Sequence, residues 1–327
     1  MITQKDEIFR FQNKENRLDL SPMKVESIII SNMAMISTPA ISLALENNID
    51  IVFLDKYGFP IGRVWFSKMG STAMIRRKQL EAAHNNQGIR LVLDLVRQKL
   101  NNQISFLKKL KYARPEKKEL FQAPIHTIEG SLDSLDHDLV NIEDSRSLIM
   151  GLEGAAGRAY FSCISKIMPE KYRFKGRSRR PALNPFNAVL NYCYGVLYSR
   201  VEKAFIIAGL DPFVGFMHTD NYNKKSLVFD LIEPFRIFAD QVAVYFFTGK
   251  KARDEYFETK PLSCNLNTKG KPVVIDALNT HLEEKVRYRQ RNVKRKHLIS
   301  HEAHKLANIL LEDQDMVRPD WLKIEEF

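Results

Sequence analysis

The side chains best suited to chemistry in this sequence are acids that stand among apolar residues. Glu153 lies in LIMGLEGAAGRAYF, where its neighbours are Leu, Gly and Ala. Asp230 and Glu233 lie three residues apart in SLVFDLIEPFR, so they share one face if this segment is helical. An unpaired buried carboxylate is costly, and hard divalent cations prefer oxygen ligands. These acids are therefore candidate metal ligands.

Each acid also has a basic neighbour that offers a purely structural interpretation. Arg158 follows Glu153, so a salt bridge and metal ligation stand as equal alternatives for that acid. Arg236 follows Asp230 and Glu233, so a capping or ion-pair role is an equal alternative to metal ligation for this pair. Pro234 removes a backbone hydrogen bond from any helix that contains it. We expect it to kink the chain and to angle Glu233 toward a cleft.

One histidine is a candidate third ligand. His218 lies in LDPFVGFMHTDN, a segment that Asp211-Pro212 and Gly215 mark as a turn. Imidazole is tolerated as a ligand where the metal is Mn²⁺ or similar. A histidine beside Phe216 and Met217 is, however, more often a core or surface residue than a ligand.

The positive charge of the chain is concentrated in two segments. Lys and Arg number 50 against 39 Asp and Glu, a net charge of +11. Residues 171–180 hold six basic side chains and residues 285–296 hold seven, with no acid in either segment. Without those thirteen, 37 basic and 39 acidic residues remain, a net charge of −2. Such local charge predicts a polyanion site, here nucleic acid, against the alternatives of an acidic membrane surface or a solvated face.

We predict that the two basic segments hold duplex DNA through its phosphates. Tyr172, Phe174 and Tyr288 are interleaved with the cations, and we expect them to pack in the core or at its rim rather than to stack on bases. The predicted DNA-binding residues are Lys171, Arg173, Lys175, Arg177, Arg179, Arg180, Arg287, Arg291 and Arg295.

Composition places the chain among ordinary globular proteins. It has 327 residues, enough for one large domain or two unequal ones, with 44% hydrophobic and 27% charged residues. No stretch approaches the roughly 18 apolar residues of a membrane helix, and MITQKDEIFR is not a signal peptide. Its three cysteines have no metal-ligand or redox spacing. We expect a cytoplasmic protein with reduced thiols and no membrane partner.

The elements that must position these residues change type along the chain. The first seventy residues read as short strands, with a hairpin in EIFRFQNKENRLDL and a short helix in TPAISLALENN that starts with Thr38 as N-cap. From about residue 75 the apolar period becomes helical, as in the stripe from Ile89 to Leu107. Asn184-Pro185 predicts the start of a long helix that Gly209 ends, and we expect helix in the remainder.

These patterns predict an α+β protein with a small N-terminal β-rich domain and a larger all-α catalytic domain. We expect the N-terminal β-domain at 1–74, a linker at 75–88, and the α-helical catalytic and DNA-binding domain at 89–327.

Three segments in this order resemble the CRISPR-associated adaptation integrase family, also called the Cas-one endonuclease. They are GLEGAAGRAYF with Glu153, LDPFVGFMH with His218, and SLVFDLIEPFR with Asp230 and Glu233. The stretch IIISNMAMISTPAISLALENNIDIVFLDKYGFPIGRV looks like the N-terminal domain of the family, and LVRQKLNNQ looks like its first helix. The resemblance covers the whole chain.

The resemblance implies a Mg²⁺ or Mn²⁺ ion held by Glu153, His218 and Glu233, with Asp230 either on the metal or orienting a neighbour. It implies a metal-dependent DNA endonuclease and integrase that inserts short DNA fragments into a CRISPR array by 3′-hydroxyl transesterification. The implied partners are the DNA fragment, the CRISPR repeat and a smaller Cas-two protein that bridges two dimers of the chain. Integration of both ends of a fragment needs two active sites, so we expect a homodimer formed largely through the N-terminal β-domain, whose edge strands invite pairing.

Two alternatives compete with this interpretation. One is a related transposon integrase, which usually carries extra DNA-binding domains for which 327 residues leave little room. The other is a DNA-binding scaffold without catalysis, in which the acids are structural. The presence of Glu153, His218 and Glu233 together argues against the scaffold.

Overall fold

A computed structural model of the chain describes residues 1–31, 33–58, 60–65, 73–135, 142–217 and 225–312. The chain divides into two units, Met1–Met69 and Gly70–Phe327. The first unit is β-rich and the second is mostly helical, which confirms the predicted α+β class.

The first unit contains two three-stranded sheets. An antiparallel sheet in the order β1-β2-β3 contains the predicted hairpin, whose strands are β2 and β3. In the second sheet, β4 and β5 are parallel, and β5 and β6 are antiparallel. Its crossover helix α1 joins the two parallel strands, as parallel pairing requires. The elements are β1 Ile2–Lys5, β2 Ile8–Gln12, β3 Arg17–Leu20, β4 Ser27–Ile30, α1 Thr38–Glu46, β5 Asp50–Leu54 and β6 Pro60–Val64.

A compact apolar cluster joins these elements within the first unit. Phe9 from β2, Ile28 from β4, Ala44 from α1 and Ile51 from β5 are among its buried members. Helix α1 begins at Thr38, one residue earlier than predicted. Ser37 is its N-cap, because the hydroxyl of Ser37 accepts a hydrogen bond from the backbone N–H of Ala40.

The second unit opens with four helices. They are α2 Ala73–Ala83, α3 Asn86–Tyr112, α4 Glu119–Ser134 and α5 Ile142–Ile167. The predicted apolar stripe lies on α3, which packs against α4 and α5. Residues 75–88, predicted as a linker, lie in α2 and at the start of α3, and α2 packs against α3.

Helix α6, Pro185–Ala208, is mostly buried and packs against two later helices, Arg236–Thr248 and Arg295–Leu311. Asn184 caps it by accepting a hydrogen bond from the N–H of Asn187. Gly209 ends it with φ 89°, a left-handed conformation that glycine adopts without steric cost. Both predicted ends of this helix are confirmed. The following elements are α7 Ser226–Leu231, a 3₁₀ turn Glu233–Phe235, and α8 Arg236–Thr248.

The prediction that the remainder is helical is wrong for two hairpins. Strands β7 Phe257–Lys260 and β8 Ser263–Leu266 form one, and β9 Lys285–Tyr288 and β10 Arg291–Lys294 form the other. In the second hairpin, Arg289 and Gln290 both have positive φ, at 47° and 64°. Two consecutive left-handed residues make the tight turn that suits a two-residue hairpin. Helices α9 Gly270–Glu283 and α10 Arg295–Leu311 flank it.

In the part of the chain that the structure describes, no helix combines the length and apolarity required to cross a bilayer.

Candidate active site and nucleic-acid interface

The carboxylates of Glu153 and Glu233 converge on the ammonium group of Lys99. Glu153 lies on α5, Glu233 opens the 3₁₀ turn between α7 and α8, and Lys99 lies on α3. Lys99 Nζ donates a short hydrogen bond to Glu153 Oε1 and lies 2.6 Å from Glu233 Oε2. Acids 80 positions apart in sequence therefore face one point.

The kink predicted at Pro234 is present and brings Glu233 to this point. The helix is interrupted by the 3₁₀ turn Glu233–Phe235 before α8 begins at Arg236. The carbonyl oxygen of Pro234 accepts a hydrogen bond of 2.9 Å from Asn102 Nδ2. Asn102 lies on α3 three residues after Lys99, so α3 supplies the ammonium group and fixes the turn that carries Glu233.

The charges at this point stabilise one another against burial. Burial opposes ionisation of Glu233, but Arg236 and Lys99 outweigh it and hold the pKa of Glu233 below its ordinary value. Burial also opposes the charge on Lys99, but Glu153 and Glu233 raise its pKa. Arg236 Nε lies 2.9 Å from Glu233 Oε1, so the ion pair considered for these two residues is present. For Glu153 the observed basic partner is Lys99, which the sequence analysis missed.

An aromatic network positions Arg236. Its guanidinium group lies 4.7 Å from the ring centre of Tyr194 and donates a hydrogen bond of 3.1 Å to the hydroxyl of Tyr198. The hydroxyl of Tyr194 in turn donates a hydrogen bond of 2.6 Å to Asp240 Oδ1. Burial raises the pKa of Asp240 to about 6, even though this hydrogen bond favours the ionised form.

A basic cavity of about 600 Å³ adjoins Glu153. Gly154 and Gly157 form part of its wall beside Glu153, so the small residues next to this acid do leave open space there. Phe161 and Tyr194 supply aromatic surface. One acid, Glu153, and six basic side chains line the cavity, and the six are Lys99, Arg158, Lys175, Arg177, Arg179 and Arg236. A cavity with this charge is suited to phosphate groups.

The first basic segment contributes to this cavity unevenly. Lys175 and Arg179 are exposed and line it. Arg177 also lines it, but donates hydrogen bonds to the side-chain oxygens of Asn187 and Asn191, and its burial lowers its pKa to about 10. Arg177 is therefore still charged at neutral pH, and it holds the segment against α6.

The other predicted basic residues of this segment lie outside the cavity wall. Lys171 pairs with Asp254 at 3.0 Å. Arg173 and Arg180 are exposed. Tyr172 and Phe174 are 5% and 8% exposed, which confirms that they pack in the core.

The second basic segment is partly neutralised by its own neighbours. Arg295 is buried and bonds to Glu284 and to the backbone carbonyl of His281. This arrangement is explained by a structural role and does not support a phosphate contact. Arg287 and Arg291 lie exposed on β9 and β10, while Tyr288 is buried.

His218 lies outside the described residues, but the chain that leads to it is held firmly. Asp230 Oδ2 accepts hydrogen bonds from the backbone N–H groups of Phe216 and Met217, at 2.6 and 3.0 Å. A Cβ atom at Gly215 would lie 2.5 Å from Ser226 Cβ, so only glycine fits there. The carboxylate of Asp230 thus orients the residues immediately before His218, one of the two roles left open for it.

The two converging carboxylates fit a divalent cation. Their oxygens already contact a single cationic atom, and carboxylate oxygen is the preferred ligand of Mg²⁺. Glu233 Oε2 is buried and accepts no hydrogen bond of good geometry from the described residues. No group of three His, Cys, Asp or Glu side chains suited to metal occurs in the described ranges, which do not include His218.

Comparison with known proteins decides the family. A family model described as CRISPR associated protein Cas1 matches residues 1–280. The chain belongs to the Cas1 family. The CRISPR-associated endonuclease Cas1 1 of Archaeoglobus fulgidus is 34% identical over 284 residues, which cover 83% of this chain and 82% of that protein. The resemblance inferred from the sequence is confirmed.

Three solved structures share the fold of this Cas1-family chain. A Cas1 protein from Thermotoga maritima gives a TM-score of 0.80 at 20% identity, covering 96% of this chain and 94% of that one. A casposase bound to integration product gives 0.83 at 22%, covering 100% and 93%. A chain of a Cas6-RT-Cas1–Cas2 complex gives 0.79 at 20%, covering 96% of this chain and 34% of that one.

The hydrogen bonds to Asp230 generate a first prediction. Asp230→Ala leaves two buried N–H groups without their acceptor, at a cost of about 1–3 kcal/mol each. We expect amide hydrogen exchange of residues 216–217 to accelerate at least tenfold in Asp230→Ala and less in Asp230→Asn, which keeps an acceptor oxygen. Asp254→Ala, which removes a surface ion pair, is the control. Unchanged exchange in Asp230→Ala would contradict the orienting role.

The pKa of Asp240 generates a second prediction. The carboxyl group of Asp240 has a higher pKa in the folded protein, about 6, than in the unfolded chain, about 4. The folded protein therefore loses stability as pH rises from about 4 to 6 and Asp240 ionises. Relative to Asp240→Asn, the free energy of unfolding of the parent should fall by up to about 3 kcal/mol across that window and then level off. Denaturant unfolding of both proteins at several pH values measures this. Parallel pH profiles would rule out the raised pKa.

Proposed function

We propose that this chain is a divalent-metal-dependent DNA integrase that inserts short DNA fragments as new spacers into a CRISPR array. The observation that carries the proposal is the convergence of Glu153 and Glu233 at the edge of a cavity lined by six basic side chains. Acids suit the cation that the chemistry needs, and the surrounding bases suit the DNA phosphates. Membership of the Cas1 family and the name of the Archaeoglobus relative support the nuclease activity.

In this proposal Glu153 and Glu233, with His218, hold Mg²⁺ or Mn²⁺. The bound metal would lower the pKa of the attacking hydroxyl and stabilise negative charge on the phosphate. The reaction is an exchange of phosphate esters: the 3′ oxygen of the fragment bonds to a target phosphorus as the bond from that phosphorus to the target 3′ oxygen breaks. No covalent bond to the protein is needed.

The chain's own residues would bind and orient the two DNA strands. Lys175 and Arg179 are exposed at the cavity and can reach phosphate oxygens. Arg177 is held by Asn187 and Asn191. Arg236 is held by Tyr194 and Tyr198. Both arginines therefore present positive charge in constant positions. Fixed charge stabilises a developing oxyanion without reorganisation. Asp230 would keep the segment before His218 in register with the acids.

We also propose that this chain forms a homodimer and that two such dimers are bridged by a Cas2-type protein. A fragment has two ends, and one chain carries one candidate site. In the first unit, three large apolar side chains are exposed: Met23, Met33 and Met35. Its two sheets also have edge strands. Both features suit self-association. The fold shared with a chain of a Cas6-RT-Cas1–Cas2 complex is compatible with the Cas2-type partner.

A transposon-type integrase is the second candidate, favoured by the fold likeness to the casposase bound to integration product. The two candidates differ in the target DNA. A spacer integrase selects the boundaries of CRISPR repeats, whereas a transposon-type enzyme does not depend on them.

A strand-transfer assay tests the proposed chemistry. The parent should join a short duplex with free 3′ hydroxyls to a supercoiled plasmid that carries CRISPR repeats, in the presence of the Cas2-type partner and Mn²⁺ or Mg²⁺, and not in EDTA. Glu153→Gln, Glu233→Gln and His218→Ala should each lower the rate more than about 100-fold, because each removes a ligand of the metal that stabilises the transition state. Each should leave DNA affinity within about twofold, because none of these residues contacts phosphate directly in this proposal.

Glu129→Gln is the matched control, since this acid pairs with Lys108 on the surface. Products from the parent in EDTA would contradict metal dependence. DNA binding by the parent without any joined product would favour the scaffold. Equal joining into a plasmid without repeats would favour the transposon-type integrase.

The basic cavity generates a separate prediction about binding. Lys175→Ala with Arg179→Ala should weaken binding about equally for unrelated duplex sequences and flatten the slope of log affinity against log salt by about two units. Arg287→Ala with Arg291→Ala should act similarly if the second hairpin also contacts DNA. Fluorescence anisotropy over a salt series measures the slope, with Lys108→Ala as control. A slope equal to that of the parent for both pairs would refute the two basic surfaces.

A further inference from the structure

Lys99 is held between the two acids of the candidate metal site. Its ammonium group contacts Glu153 Oε1 and Glu233 Oε2 together, and its side chain is 12% exposed. Arg236 contacts the other oxygen of Glu233, so one carboxylate is shared by two cations. The three helices that meet here are thus joined through a compact charge cluster.

A divalent ion bound to these same carboxylate oxygens would need the space that the ammonium group fills. Metal–oxygen bonds in such sites are about 2.0–2.6 Å long. Lys99 Nζ lies 2.6 Å from Glu233 Oε2, so the nitrogen is as close to this oxygen as a bound metal ion would be. Two cations at that spacing from one pair of oxygens would overlap in space and repel each other strongly.

Resting on the proposed function, we propose that Lys99 is an internal counter-ion that competes with the divalent metal. In the metal-free protein, Lys99 neutralises Glu153 and Glu233 and keeps them together. Metal binding then displaces the ammonium group. Lys99 is well suited to this exchange, because a compact ammonium group on a flexible four-carbon stem can swing without moving its helix.

The displaced ammonium group would enter the basic cavity. Lys99 also lines the basic cavity next to Glu153. That cavity already carries Arg158, Lys175, Arg177, Arg179 and Arg236, so an added positive charge there is unfavourable unless an anion is present. The exchange therefore opposes metal binding in the DNA-free protein, and metal affinity is lower than two carboxylates alone would give.

The test measures Mn²⁺ binding to the full chain without DNA. We expect Lys99→Met, which keeps the apolar stem and removes the charge, to bind Mn²⁺ at least tenfold more tightly than the parent by isothermal titration calorimetry. Without metal, Lys99→Met should melt at a lower temperature than the parent, and Mn²⁺ should raise its melting temperature more. Lys108→Met, on the same helix but at the surface, should match the parent.

A second measurement separates displacement from a mere nearby charge. In crystals of the parent grown with EDTA and with Mn²⁺, we expect Lys99 Nζ to contact both carboxylates in EDTA and to leave both in Mn²⁺. An ammonium group still in contact with both acids beside bound Mn²⁺ would overturn the inference. So would a Lys99→Met protein that binds Mn²⁺ no more tightly than the parent, or one that stays unfolded at saturating Mn²⁺.

The Mn²⁺ titrations and the strand-transfer assay together separate a failure of the role of Lys99 from a failure of the proposed metal site. If neither the parent nor Lys99→Met binds Mn²⁺, the metal site itself is refuted, and the competition with it. If both bind Mn²⁺ equally and the parent still joins DNA, the proposed function stands and only the role of Lys99 is refuted.

Discussion

The helical unit is organised around one constraint: two acids placed close together need a cation between them. Removing a charge from water costs several kcal/mol, and an acid pair without a partner would repel as well. Lys99 meets this need from α3, while Glu153 comes from α5 and Glu233 from the turn before α8. Three helices distant in sequence are therefore fixed relative to one another by charge as well as by apolar packing.

The surrounding polar groups hold the residues that carry Glu233 or pair with it. Asn102 holds the carbonyl oxygen of Pro234, so the turn that carries Glu233 cannot move independently of α3. Tyr194 and Tyr198 hold Arg236, and Asp240 holds Tyr194. Buried ion pairs are weak evidence for stability, because apolar residues can often replace them without loss. A network of this size beside an open cavity is better explained by function than by stability.

Local features were predictable from the sequence, and long-range partners were not. The ends of α6 follow from Asn184 and Gly209, because a cap or a left-handed residue acts within one turn of the chain. Glu153 and Glu233 were identified from their apolar neighbours. Lys99 was missed, because a lysine in a helical apolar stripe looks like any surface residue whose stem packs on the core. Its role depends on acids 54 and 134 positions away, and local spacing carries no information about them.

The second basic segment shows how a local charge count can mislead. The acid-free stretch begins at Lys285, directly after Glu283 and Glu284. Because β9 and β10 form a hairpin, its far end returns to these two acids: Glu283 pairs with Lys294 and Lys296, and Glu284 with Arg295. Three of the seven basic side chains thus pair with two acids of the same chain. The other four basic residues of the segment, Lys285, Arg287, Arg289 and Arg291, lie exposed along the strands and at the turn. Along β9 the exposed cations Lys285 and Arg287 alternate with buried Val286 and Tyr288, so these two charges share one face of the hairpin. Arg291 pairs with Tyr288 across the strands and therefore lies on the opposite face. The hairpin divides its cations between two faces, which a charge count along the sequence cannot show.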